Sequence, residues 1–173
     1  DLPRFAESLR LIDCGAFTGV AVHKFLTAGY TIDSLVAFEP DLANFAILAG
    51  RNFPIASALC LPLGTWSTTT QLKFSSGSSM ASHLSDQGDV TIQCVAVDDL
   101  LHGQAINLVK LDVEGAEIET LKGMKQLIHE QRPNLLVSAY HTPGLGYRFH
   151  LRVHEQNSFG VVLYALQDKL LAA

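Results

Sequence analysis

Short apolar runs alternate with stretches of helical periodicity along most of this chain, and that alternation limits the folds open to it. LRLID (9–13) is an apolar run stopped by Gly15, as a buried strand would be. Residues 18–28 follow with Val22, Phe25 and Leu26 at helical spacing and Gly29 as a stop. SLVAF (34–38) is a second strand, closed by Glu39-Pro40. Pro40 keeps Glu39 extended and suits a first helical turn, so DLANFAILAG reads as a helix with Leu42, Phe45 and Ala49 inward. PIASAL (54–59) is a third, weaker strand. Strand–helix–strand–helix–strand in this order predicts a parallel α/β sheet.

The middle of the chain departs from that pattern. TTTQLKF (68–74) and VTIQCVAV (90–97) alternate polar and apolar residues, as half-exposed strands do. The Ser/Gly-rich residues 75–89 between them predict a flexible loop or lid. AINLVKLD (105–112) resumes the α/β order as a strand. A helix over 116–128 follows, with Ile118, Leu121, Met124 and Ile128 on one face, and then a strand at NLLVSAY (134–140). YRFHLRV (147–153) and VVLYAL (161–166) flank HEQNSFG and predict an antiparallel hairpin. No repeat and no long linker divides the sequence, so residues 1–173 are expected to form one domain.

Composition removes several classes of function. Hydrophobic residues make up 48% and charged residues 17%, the reverse of what keeps a chain disordered. Twelve Lys+Arg against seventeen Asp+Glu leave a net charge of −5, and no basic run offers a surface to nucleic acid. No uninterrupted apolar stretch approaches the ~20 residues of a membrane span. The N-terminal DLPRFAESLR carries charges and lacks the apolar core of a signal peptide, so a cytoplasmic location is expected. A start on Asp1 rather than Met fits a piece of a longer protein. Cys14, Cys60 and Cys94 match no zinc or redox spacing and read as buried reduced thiols.

Candidate chemistry gathers at the strand ends, where open α/β sheets bind ligands. The first strand runs out into Asp13-Cys14-Gly15-Ala16-Phe17-Thr18-Gly19, whose small residues let backbone N–H groups approach a ligand. Glu39 ends the second strand, placed to clasp a ribose diol. Loop, strand and acid together predict a nucleoside-type cofactor. A dinucleotide loop would open on the first glycine of GxGxxG, but Asp13 stands there, and three residues separate Gly15 from Gly19. An acid at the entrance repels a pyrophosphate and suits the ammonium and sulfonium of S-adenosylmethionine (SAM). SAM is therefore the expected cofactor, with an NAD(P)-binding oxidoreductase as the weaker alternative.

The most informative string is KLDVEGAEIETLKG (110–123). Asp112 and Glu114 can both face the crevice if the chain bends at Gly115. Glu117 and Glu119 read instead as acids matched to a helix N-terminus. This string resembles the signature of the FkbM family of SAM-dependent methyltransferases nearly residue for residue. IDCGAFTG, AFEPDLANFAIL, VAVDDLL, SAYHTP and VVLYAL are similar to other motifs of that family, so the resemblance covers residues 11–166. It implies a class I methyltransferase fold: a Rossmann-like, mostly parallel seven-stranded sheet with helices on both faces and an antiparallel C-terminal hairpin. It implies methyl transfer, usually to a hydroxyl of a sugar or secondary metabolite. It also implies a cofactor site built from Asp13, Gly15, Ala16, Phe17, Gly19, Glu39, Pro40 and Asp112.

A hydroxyl is a poor nucleophile and gains from a general base. Asp112, Glu114 and His141 are the catalytic candidates, with Asp112 given to holding the cofactor or acceptor and Glu114 and His141 favoured jointly as the base. Asp112, Glu114 and His141 could also hold a hard cation, but nothing supplies further ligands and no metal site is assigned. The chain departs from the family pattern once. Only TPGLG separates His141 from Tyr147, where the family usually carries a longer segment. A non-catalytic module of the same fold is therefore a second alternative.

Overall fold

The computed structural model describes residues 7–75, 83–84, 90–138, 148–153 and 161–166. Its elements are β1 (Leu9–Cys14), α1 (Val20–Thr27), β2 (Ile32–Phe38), α2 (Leu42–Ala49), β3 (Ser57–Leu61), β4 (Gly64–Thr65), β5 (Thr70–Ser75) and β6 (His83–Leu84). They continue with β7 (Val90–Val95), α3 (Val97–Leu100), β8 (Leu108–Leu111), α4 (Glu117–Lys122), α5 (Lys125–Gln131), β9 (Asn134–Ser138), β10 (Arg148–Val153) and β11 (Val161–Leu166).

Five strands form the parallel centre in the order β9-β8-β1-β2-β3. The backbone of β11 runs antiparallel along β9, and that of β10 antiparallel along β11. Period-two alternation sorts the side chains of the centre onto two faces. Leu9 and Leu11 of β1, Leu35 of β2 and Leu108 of β8 pack with Val22 and Phe25 of α1 and Leu48 of α2. On the other face Ile12, Phe38, Val109 and Leu111 pack with Val97, Met124 and Leu127. Each such fully buried side chain contributes roughly 1.5–3 kcal/mol.

Two helices differ from the sequence expectation. α2 turns Leu48 inward and leaves Leu42 at 68% exposure, because Asp41 caps the helix and begins the buried face. The helix expected over 116–128 is two helices, α4 and α5. Gly123 lies so close to Trp66 that a Cβ there would stand 1.9 Å from the Trp66 carbonyl oxygen. Asp98 then accepts from the N–H groups of Gln126 and Leu127 at 2.8 and 2.9 Å, starting a fresh helix. Ile118, expected inward, is 47% exposed as a result.

A second sheet, in the order β4-β7-β5-β6, occupies the middle region. β4 pairs parallel with β7, and β5 runs antiparallel to both β7 and β6. It is tied to α4 where the Thr65 and Thr120 hydroxyls meet at 2.9 Å and the Thr120 hydroxyl donates to the Thr65 carbonyl. Apart from β6 and the β5 terminus, the stretch expected to form a lid lies outside the described residues. No helix among the described residues is long and apolar enough to cross a membrane.

Cys14 is enclosed in the core, and burial first, then the neighbouring charge of Asp13, pushes its thiol up to about 12 from an ordinary 9.0. The unfolded chain therefore releases this proton first, and stability falls as pH rises from the ordinary value through the raised one. Lys110 acts with the same sign, since its ammonium is held above its ordinary 10.5. Guanidinium melts between pH 8 and pH 11 are expected to show that fall, and Cys14→Ala should make it shallower. Equal slopes in the two proteins would refute the assignment.

Candidate active site

Strand order reverses between β1 and β8, and the carboxyl ends of β1, β2 and β8 open there into a cleft of about 330 Å³. Backbone hydrogen bonds lock the three ends together. The Gly15 and Ala16 N–H groups both donate to the Phe38 carbonyl, at 3.0 and 2.9 Å, and Asp112 N–H donates to the Cys14 carbonyl at 3.1 Å. Gly15 takes φ +73°, and a Cβ there would stand 1.9 Å from the Asp112 carbonyl oxygen. Only a hydrogen fits.

The next residue but one, Phe17, also has a left-handed backbone, with φ +51°. Its N–H donates to Glu39 Oε2 at 2.7 Å, which holds the turn in that conformation. Glu39 Oε1 accepts from Asp41 N–H at 2.9 Å. The carboxylate at the end of β2 thus pins the β1 turn while still lining the cleft. Each oxygen keeps further acceptor capacity. Burial pushes the Glu39 carboxyl up, and the two N–H groups oppose that shift. Ala16, Pro40 and Asn44 also line the cleft, as do Val20, Ala21 and Lys24 of α1. Gly19 caps α1 with φ +82° and lies behind the wall, against Phe53 and Leu48.

Asp13 is placed differently from the expectation. It continues the inward row of Leu9 and Leu11, is 0% exposed and lies beneath the cleft. Its partner is Lys110, directly opposite in the β1–β8 register, whose ammonium approaches Asp13 Oδ1 to 2.9 Å. That ammonium also donates to the Gly15 carbonyl at 2.7 Å and lies 3.8 Å from Asp112 Oδ2. Burial pushes the Asp13 carboxyl up, against the pull of Lys110. For Lys110, burial acts downward but the charges of Asp13 and Asp112 outweigh it. The cation at the cleft floor is therefore a lysine that itself lines the wall.

β8 ends at Leu111, and Asp112, Val113 and Glu114 line the cleft beyond it. Glu114 is exposed and takes φ +49°, followed by Gly115 at φ +99°, so the chain bends where the sequence suggested. Glu117 is buried, and its carboxylate receives the Gly115 N–H at 3.1 Å, as an acid at a helix N-terminus should. Glu119 pairs with Lys122 outside the cleft. His141 lies outside the described residues.

The sequence reading missed the opposite wall. Leu63, Gly64 and Thr65 of the β3–β4 segment and Ile92 and Cys94 of β7 close the cleft with mostly apolar surface. Nothing local marks them, because they reach the site through packing of the second sheet. Lys110 was missed too, although a lysine inside the apolar run LVKL is a visible signal of a buried partner.

Comparison with known proteins agrees with this architecture. The family described as the Methyltransferase FkbM domain matches residues 13–168. The hexuronic acid methyltransferase AglP of Haloferax volcanii is 31% identical over 116 residues, covering 62% of this chain and 47% of that protein. The crystal structure of methyltransferase FkbM from Methylobacillus flagellatus superposes with a TM-score of 0.71 at 24% identity, over 94% of this chain and 44% of that one. The chain thus spans a little under half the length of either relative. Its fold is an α/β methyltransferase-like fold around a mostly parallel central sheet. The chain belongs to the FkbM methyltransferase family.

Proposed function

We propose that this chain is a SAM-dependent methyltransferase domain that methylates a hydroxyl of a saccharide or related small molecule. The observation that carries the reading is one cleft holding the tight Gly15–Phe17 turn, the Glu39 carboxylate and the Asp112–Glu114 segment of the family signature. Acids on the walls suit a cationic ligand. The name of the Haloferax relative supports a saccharide acceptor. The registers of β10 and β11 support completion of the class I seven-stranded sheet by an antiparallel C-terminal hairpin.

SAM when bound supplies an electrophilic methyl group on sulfur. Glu39 would hold the ribose hydroxyls through the acceptor capacity its oxygens retain, with Ala16, Phe17 and Pro40 shaping the surrounding wall. Asp112 would face the cationic part of the cofactor. Glu114 would accept the acceptor's hydroxyl proton on a carboxylate oxygen, with His141 as the other candidate base. The apolar wall from the second sheet would exclude water and raise the value of each polar contact.

Hydrogen bonds to a charged group contribute roughly 1.5–3 kcal/mol each, so Glu39→Ala is expected to weaken SAM binding at least about tenfold. Part of that loss comes through Phe17, whose N–H loses its acceptor. Isothermal calorimetry of SAM with wild type and variant checks this, and unchanged affinity would sink the ribose assignment. A crystal structure of the complex would check the C-terminal hairpin at the same time.

A further inference from the structure

We infer that Lys110 is a positioning residue of the cleft, whose ammonium orients both the Gly15 carbonyl of the cofactor turn and the carboxylate of Asp112. This rests on the SAM-binding reading given above and adds to it the group that sets the geometry of the site. The β1 turn and the β8 loop are separate pieces of chain, and their backbones share the hydrogen bond from Asp112 N–H to the Cys14 carbonyl. One side chain touches both sides of that junction. Lys110 Nζ donates to the Gly15 carbonyl at 2.7 Å, pairs with Asp13 at 2.9 Å and stands 3.8 Å from Asp112 Oδ2.

The three contacts differ in what they can do. Asp13 is 0% exposed and neither of its carboxylate oxygens has a hydrogen-bond partner among the described residues, so its hold on the Lys110 ammonium 2.9 Å away is that of charge on charge. Asp112 is 41% exposed at its side chain and lines the cleft. Lys110 itself is 15% exposed and also lines it. An ammonium drawn down by the charge of a buried carboxylate stays where it donates to the Gly15 carbonyl and faces the Asp112 carboxylate. The lysine stem is flexible, so without the charge of Asp13 that position would not be defined. Asp13 thus acts on the ligand through Lys110, and Lys110 acts through Asp112 and Gly15.

The alternative is that Lys110 merely neutralises Asp13 for folding. Lys110→Met leaves a buried carboxylate without its cation and should lower the melting temperature sharply. The double variant Asp13→Asn/Lys110→Met removes both charges and should recover most of that loss. SAM affinity, read by calorimetry, should nevertheless stay about tenfold or more below wild type in the double variant. Adding Asp112→Asn to it should cost less than about twofold more, although Asp112→Asn alone costs much more, because coupled groups are not additive. Lys110→Arg keeps a cation and its charge-assisted donors and should restore affinity to within about fivefold of wild type, which holds even if the double variant does not fold.

Wild-type affinity in the double variant would overturn the inference. So would full additivity with Asp112→Asn, or a Lys110→Arg variant that binds as poorly as Lys110→Met. Failure of the wild-type protein to bind SAM would overturn the cofactor reading itself, and this inference with it; the other outcomes leave that reading standing.

Discussion

Glu114→Gln is expected to reduce methyl transfer by roughly 10²–10⁴-fold with SAM affinity nearly unchanged, the loss typical of removing a general base. Glutamine preserves the shape of the side chain, so the loss reads proton removal rather than packing. The position supports the assignment, since Glu114 lines the cleft at the end of β8 and is exposed enough to meet a bound acceptor. Its backbone is left-handed at φ +49°, in a turn that Glu117 steadies through the Gly115 N–H. A strained residue held by its neighbours at a cleft mouth is the kind of feature that accompanies a functional side chain. His141→Ala carries the same expectation from the sequence motif SAYHTP. A panel of saccharide hydroxyls with labelled SAM supplies the assay. Wild-type turnover by both variants on a confirmed acceptor would put the base elsewhere. A loss of turnover that tracks SAM affinity would move these residues to the cofactor site.

Gly15→Val is expected to destabilise the domain by roughly 2–5 kcal/mol, a large share of the 5–15 kcal/mol typical of a folded domain. A non-glycine residue in the left-handed region costs roughly 1–2 kcal/mol, and overpacking adds roughly 1–3 kcal/mol or more. The obstacle here is backbone, at 1.9 Å in the case of a bare Cβ, and no rotamer change relieves it. To make room, the β1 and β8 ends would have to part, breaking the Asp112-to-Cys14 hydrogen bond and disturbing the Lys110 contact with Gly15. Urea denaturation followed by circular dichroism measures the loss. A variant as stable as wild type would mean that the turn and the Asp112 loop are not held together as described.

Much of the cleft was legible along the chain. The ends of β1, β2 and β8 fall where mostly apolar runs give way to GAFTG, EPD and DVEG, because a parallel strand buried on both faces is predominantly apolar. That pattern alone sets Glu39, Asp112 and Glu114 at the strand ends, and they line the cleft. Helical periodicity located α1 and its inward Val22 and Phe25 equally well. It misjudged α2 and the helix after β8, where Asp41 and Asp98 set the helix starts by capping. A cap shifts which residues share a face, and apolar spacing does not register it.

What the sequence by itself determined was the order of elements, the strand ends and the chemical types gathered there, since those follow from local periodicity and from what a strand may bury. Only the tertiary structure decided which groups meet. Asp13 reads from the sequence as an acid facing the ligand, yet the pleat turns it inward and the β1–β8 register sets Lys110 beside it. The part of the lining made by Ile92, Cys94 and Thr65 likewise exists because a second sheet packs against α4. Strand pairing and sheet docking join segments distant along the chain, so the alternation that turns Asp13 inward does not by itself name Lys110 as its partner.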